Sequence, residues 1–208
     1  FSLVSTQLRD MPYLQMNDGG VDARGRFWAG SMTFEFETRP GAGALYRLDP
    51  DLSVHVLATD VHLSNGLDWS PDDRVMYYTD TLRHVIWAYD FDLETGEIEH
   101  RRVFAEVPED AGGPDGLCVD AEGFVWSAHW GGWRVTRYDP SGRIARVIEM
   151  PAAQITCPSF GGAELDVLYV SSAAIAMTEA DFAKAPDGGG LFALDPGVRG
   201  LAAHRFAA

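Results

Sequence analysis

Long apolar runs are missing from this 208-residue sequence. No stretch approaches the roughly 18 consecutive apolar residues of a membrane-spanning helix, so no membrane partner is expected. Cysteine is scarce: Cys118 and Cys157 are the two present, each inside a short apolar segment. Their number and spacing exclude a disulfide framework and a cysteine-based zinc site. Free buried thiols are the expectation, which favours a reducing compartment and a cytoplasmic location. Basic residues are few, 16 against 31 acidic ones, for a formal charge of −15. That field repels phosphate backbones and argues against nucleic acid as a partner. No serine nucleophile elbow or phosphate-binding glycine loop occurs, and Gly188-Gly189-Gly190 lacks the lysine that would follow in one. The sequence starts at Phe1 rather than a methionine, with no signal-peptide pattern there, so it need not begin where its gene begins.

What the sequence does contain is repetition. Asn17-Asp18-Gly19 precedes Val21-Asp22, a turn, and Phe27-Trp28-Ala29-Gly30. Ser64-Asn65-Gly66 precedes Leu67-Asp68-Trp69, a turn, and Val75-Met76-Tyr77-Tyr78. Pro114-Asp115-Gly116 precedes Leu117-Cys118-Val119-Asp120, a turn, and Phe124-Val125-Trp126. A looser fourth copy runs from Thr156-Cys157-Pro158 to Val167-Leu168-Tyr169-Val170. A further strand follows each copy, ending at Asp49, Asp90, Asp139 and Asp195. The copies are offset by 48, 50 and 42 residues. Several short strands per unit at that period specify an all-β fold, a β-propeller, in which each copy is one blade. Hairpin turns are expected at Asp139-Pro140-Ser141-Gly142 and Glu94-Thr95-Gly96. One short helix is expected at 178–185, with Thr178 as its cap and Asp181 as its capping-box partner.

Asn17, Asn65 and Asp115 occupy the same place in three successive copies. Equivalent positions of successive blades lie around one central channel, so the repeat brings these three together. Short oxygen-bearing side chains are hard ligands suited to Ca²⁺, Mg²⁺ or Mn²⁺, with Zn²⁺ served less well. Asn-Gly and Asp-Gly are also common turn dipeptides, and that alternative stands beside the site reading.

The segments 17–32, 64–81 and 114–139, with Phe160-Gly161-Gly162, 165–170 and Gly190-Leu191-Phe192-Ala193-Leu194, resemble the gluconolactonase/regucalcin family over nearly the whole chain. The resemblance implies a six-bladed propeller with one divalent metal in the channel, hydrolysing a sugar (aldono-) lactone. On it, residues 1–208 form a single propeller domain covering about four blades plus part of another, without the N-terminal blades. The family's metal ligands include the S-N-G asparagine and the P-D-G aspartate, which map to Asn65 and Asp115. Asn17 matches a residue that contacts substrate or a metal-bound water, and Asp115 is also the implied proton acceptor. The resemblance implies Ca²⁺ first among the metals, then Zn²⁺, Mn²⁺ or Mg²⁺, and a small sugar lactone as partner. Two departures stand out. The blade carrying the family's metal-binding glutamate lies before Phe1, and Gln15 stands where the family often has a substrate-contacting arginine.

His129, just after a strand, is a candidate substrate contact or proton shuttle, with packing as the alternative. Trp130 and Trp133 are candidates to stack on a sugar ring, and Asp22 and Asp80 read as turn and strand-edge residues. The competing functions are a calcium-binding or scaffold propeller without catalysis, and hydrolysis of another lactone, ester or organophosphate on the same scaffold.

Overall fold

A computed structural model describes residues 3–175 and 177–207. Four antiparallel sheets follow one another in chain order. The first holds β1 (Leu14–Val21), β2 (Phe27–Thr33), β3 (Gly43–Leu48) and β4 (Val54–Val61). The second holds β5 (Ser64–Trp69), β6 (Val75–Asp80), β7 (Val85–Phe91) and β8 (Ile98–Glu106). The third holds β9 (Gly113–Val119), β10 (Val125–Trp130), β11 (Arg134–Tyr138) and β12 (Ile144–Glu149). The fourth has three strands: β13 (Ile155–Gly161), β14 (Val167–Ser172) and β15 (Leu191–Leu194). Every strand pairs with its neighbour in sequence, and the first strands β1, β5, β9 and β13 face one another across the sheets. These are four blades of a propeller, as the repeats predict. Ahead of β1, residues 3–13 form turns rather than a strand of another blade.

The blades hold together because each strand sends alternate side chains to opposite neighbours. On β6, Met76 and Tyr78 enter the core shared with the first blade, while Tyr77 enters the core shared with the third. On β10, Val125 faces the second blade and Trp126 and Ala128 face the fourth. Three cores result, one per blade interface. Trp28 and Trp126 are fully buried in the first and third of them. Outer strands have little to cover, and β12 is exposed along most of its length.

Buried acids tie the turns to these cores. Asp22 Oδ1 accepts from the N–H groups of Arg24 and Arg26 at 2.9 and 3.0 Å. Its Oδ2 accepts from Trp28 Nε1 at 3.0 Å and Arg26 Nε at 2.6 Å. Asp120 repeats the device in the third blade, with Trp126 Nε1 at 2.9 Å and Arg137 Nε at 2.9 Å. Asp22 is thus the turn residue the sequence indicates, but fully buried and charge-paired. Asp80, read as a strand-edge residue, is also buried and holds the N–H groups of His62 and Leu63, fixing the entry to the second blade.

Both expected hairpin turns are present, with Gly142 and Gly96 at positive φ of 82° and 72°. The helix α1 (Glu179–Lys184) forms where expected, with Thr178 and Asp181 in a reciprocal capping box. Among the described residues no helix is long and apolar enough to cross a membrane.

Removing the Asp22 carboxylate strands Arg26, Trp28 Nε1 and two backbone donors. Asp22→Ala is therefore expected to lower stability by about 3–5 kcal/mol, read as a drop in the urea midpoint at unchanged slope.

Candidate metal and substrate site

The first strand of every blade is bulged at the same place. In β1, Asn17 and Asp18 stand opposite Gly30 alone; in β5, Asn65 and Gly66 oppose Thr79; in β9, Asp115 and Gly116 oppose Ala128. In β13 the extra residue is Thr156. A bulge re-aims a side chain out of the alternation of its strand, and here it turns one residue per blade into a common cavity. Asn17, Asn65 and Asp115 therefore lie within strands, and the hairpin-turn alternative is set aside.

The motif glycines serve closeness rather than an unusual φ. A Cβ on Gly66 would fall on the backbone of Gly116 and Leu117 in the next blade. One on Gly116 would lie 2.7 Å from Thr156 O and 2.8 Å from Cys157 Sγ. Side chains at these points would hold the first strands apart. Gly66→Ala is expected to cost about 2–3 kcal/mol, measured by urea unfolding.

The cavity has a volume of about 630 Å³, and Gln15, Asn17, Asp18, Asn65, Thr81, Asp115, Thr156 and Cys157 supply its polar lining. Its side-chain amides are oriented by their partners. Asn17 Nδ2 donates to Ser64 O at 2.7 Å and to Asn65 Oδ1 at 3.3 Å. Asn65 Nδ2 donates to Thr81 Oγ1 at 2.9 Å, and Thr81 Oγ1 donates to Pro114 O at 2.7 Å. Flipping Asn17 would set its oxygen against a carbonyl, so the network leaves the amide oxygens as the acceptors available to a ligand.

Two carboxylates share this cavity, and no lysine or arginine lines it. Burial pushes the Asp115 carboxyl up to about 8; the Asp18 carboxylate adds to the rise and the Gly116 N–H opposes it. Burial raises Asp18 too, against a hydrogen bond from the Gly19 N–H. The Cys157 thiol is pushed up to about 12 by burial, and by Asp18, Asp115 and Asp68. It is a neutral thiol, open to the channel, rather than a thiolate ligand.

Gln15, Asn17, Asn65 and Asp115 thus come together as expected. His129 does not line the cavity: it is 1% exposed, with Nδ1 2.9 Å from Ala111 O, and burial lowers it to about 4. Its placement is that of the packing alternative. Trp130 lines the cavity and Trp133 does not. Sequence reasoning passed over Asp18, although it sits beside Asn17 in the same motif, and Thr81, which no motif marks.

The arrangement suits a divalent cation. Carboxylate and amide oxygens form a hard donor set, and one buried and one half-buried carboxylate with no lining basic side chain are short of positive charge. Among the described residues no three His, Cys, Asp or Glu side chains are placed to hold a metal ion by themselves, so such a site would depend on the asparagines.

Residues 1–174 match the family model described as the SMP-30/Gluconolactonase/LRE-like region. The chain belongs to this family. Regucalcin of Danio rerio is 41% identical over 202 residues, 96% of this chain and 68% of that protein. A luciferin-regenerating enzyme structure superposes with a TM-score of 0.90 at 30% identity, covering 99% of this chain and 69% of that one. The structure of a calcium-binding protein, regucalcin, from Agrobacterium tumefaciens gives 0.88 at 32%, covering 95% and 66%. The chain therefore spans about two-thirds of the length of these family members.

The raised Asp115 fixes a pH dependence. With cation removed, the folded chain holds this proton up to about pH 8, whereas the unfolded chain releases it near 4. Stability should fall as pH rises through that interval. Asp68, raised to about 6 by burial, contributes over its lower half. Urea midpoints measured in chelator between pH 6 and 8 should decline for the natural chain and flatten in Asp115→Asn.

Proposed function

We infer that this chain carries the hydrolytic site of a metal-dependent lactonase, with an aldonolactone as the substrate that family membership suggests. The observation that supports the reading most is Asp115 itself. It is a buried carboxylate with high proton affinity, in a cavity that it shares with the Asn17 and Asn65 amides and that no basic side chain lines.

Asn65 and Asp115 would hold the cation, with Asn17 and Asp18 beside them. Ca²⁺ comes first among the candidate ions, since a related structure is described as calcium-binding; Mn²⁺, Mg²⁺ and Zn²⁺ follow. When bound, the cation supplies Lewis-acid polarisation of the lactone carbonyl.

The chain's own residues do the rest. Asp115 takes a proton from the attacking water as its oxygen bonds to the acyl carbon. The acyl–oxygen bond of the ring then breaks, and the proton returns to the departing ring oxygen, giving the hydroxy acid. A cation bound beside it would favour the charged carboxylate and so keep Asp115 free to accept that proton. Asn17, held by Ser64 O, fixes the edge of the site against which the ester lies. Thr81 keeps Asn65 from rotating.

A cation-binding protein without turnover is the second reading, and the same acidic cavity favours it. Hydrolysis of a panel of aldonolactones, followed by pH-stat, separates the two. Activity lost to chelator and restored by Ca²⁺, Mn²⁺ or Zn²⁺ is the expected result. Asp115→Asn should reduce kcat by about a hundredfold or more with the fold retained. No turnover of any aldonolactone with any metal removes the sugar-lactone reading and leaves cation binding or the hydrolysis of another lactone.

A further inference from the structure

The polar floor of the cavity has few hydrogen-bond donors to spare. Asn17 Nδ2 is taken by Ser64 O and Asn65 Oδ1, one of the two Asn65 Nδ2 hydrogens by Thr81, and Thr81 Oγ1 by Pro114 O. Thr156 Oγ1 is paired with Ser171 Oγ at 2.7 Å. No lysine or arginine lines the cavity. Among the described lining amides, Gln15 alone lacks an internal partner. A polyhydroxylated lactone presents several hydroxyls; each could donate to the cavity's carboxylate or amide oxygens, but its own oxygen leaves water and finds few donors in return.

The walls above this floor are apolar, and every blade contributes. Met32, Phe34 and Phe36 come from the first, Leu82 from the second, Trp130 from the third and Ile175 from the fourth. Phe34 and Ile175 are each 70% exposed. The Phe34 and Phe36 rings meet edge-to-face at 6.3 Å. Single exposed apolar side chains are ordinary, but several converging on one concave cavity form a surface that an apolar ligand group would cover.

We propose that the site selects lactones bearing an apolar alkyl substituent over polyhydroxylated sugar lactones. The ester group sits by Asp115 and the alkyl chain lies against Phe34, Phe36, Leu82 and Ile175. This rests on the lactonase reading and puts an alkyl-substituted lactone in place of its aldonolactone.

The test compares kcat/KM, with Ca²⁺ present, for three δ-lactones of the same ring size: glucono-δ-lactone, δ-valerolactone and δ-decalactone. The expected order places δ-decalactone about tenfold or more above glucono-δ-lactone, since a single methylene in an apolar pocket is worth roughly that factor. Phe34→Ala and Ile175→Ala, both at exposed positions, should each lower the decalactone-to-gluconolactone ratio about fivefold, mainly through KM. Equal or faster turnover of glucono-δ-lactone, with a ratio indifferent to both variants, overturns the proposal and leaves the lactonase intact. If no lactone is turned over, the lactonase reading fails and binding decides the specificity. Trp fluorescence titration with 6-pentylpiperidin-2-one and piperidin-2-one, unreactive ring analogues, then supports the proposal if the pentyl compound binds about tenfold tighter. Equal affinities overturn it.

Discussion

The structure depends on how closely the first strands of neighbouring blades approach. Gly66 lies against the backbone of Gly116 and Leu117, and Gly116 against Thr156 and Cys157, at separations a Cβ would not permit. Hydrogen bonds cross the same seam: Asp68 Oδ2 accepts from the Val119 N–H at 2.8 Å, joining β5 to β9. Because the strands sit this close, residues roughly fifty positions apart in sequence share one cavity. Asn17 donates to Asn65, and Asp18 acts on Asp115 through space. The interblade cores supply most of the burial, but the glycine contacts set the radius at which the polar groups meet.

That radius creates an electrostatic imbalance. Two buried acids of the fold are paired with arginines: Asp22 with Arg26, and Asp120 with Arg137. In the channel cavity Asp18 and Asp115 have only backbone N–H groups. Asp68, which joins β5 to β9, likewise has only backbone donors and is raised to about 6; what sets Asp18 and Asp115 apart is that they share one cavity. Asp115, buried with no cation against it, is raised to about 8.

Much of this was legible in the sequence. Period-two alternation in the strands and the offsets between copies give the blades, because a strand's side chains must alternate between two neighbours. Asn17, Asn65 and Asp115 were legible as a group because repetition converts equal position in sequence into equal radius in space. The role of the motif glycines was not, since an Asn-Gly pair reads the same in a hairpin turn and in a bulge; only the neighbouring backbone distinguishes them. Asp18 was hidden by its rank as second residue of a motif whose first residue drew the attention. His129 misled because position after a strand does not tell on which side of the blade a ring emerges. The apolar walls come from loops and strand ends without a repeat, where a single sequence carries little signal.

The pairing order of the strands also bears on how the chain reaches this form. Each sheet is a meander in which every hydrogen-bonded partner is the next strand along, so a blade closes only short loops as it forms. Such local connectivity favours rapid formation of single blades, and the slower event is the docking of one blade on the next. Since each core is shared by only two neighbours, cooperativity passes along the chain from interface to interface, as in a linear array of repeats. Asn65 and Asp115 stand on opposite sides of the middle interface, so the cavity takes shape only once that docking is complete.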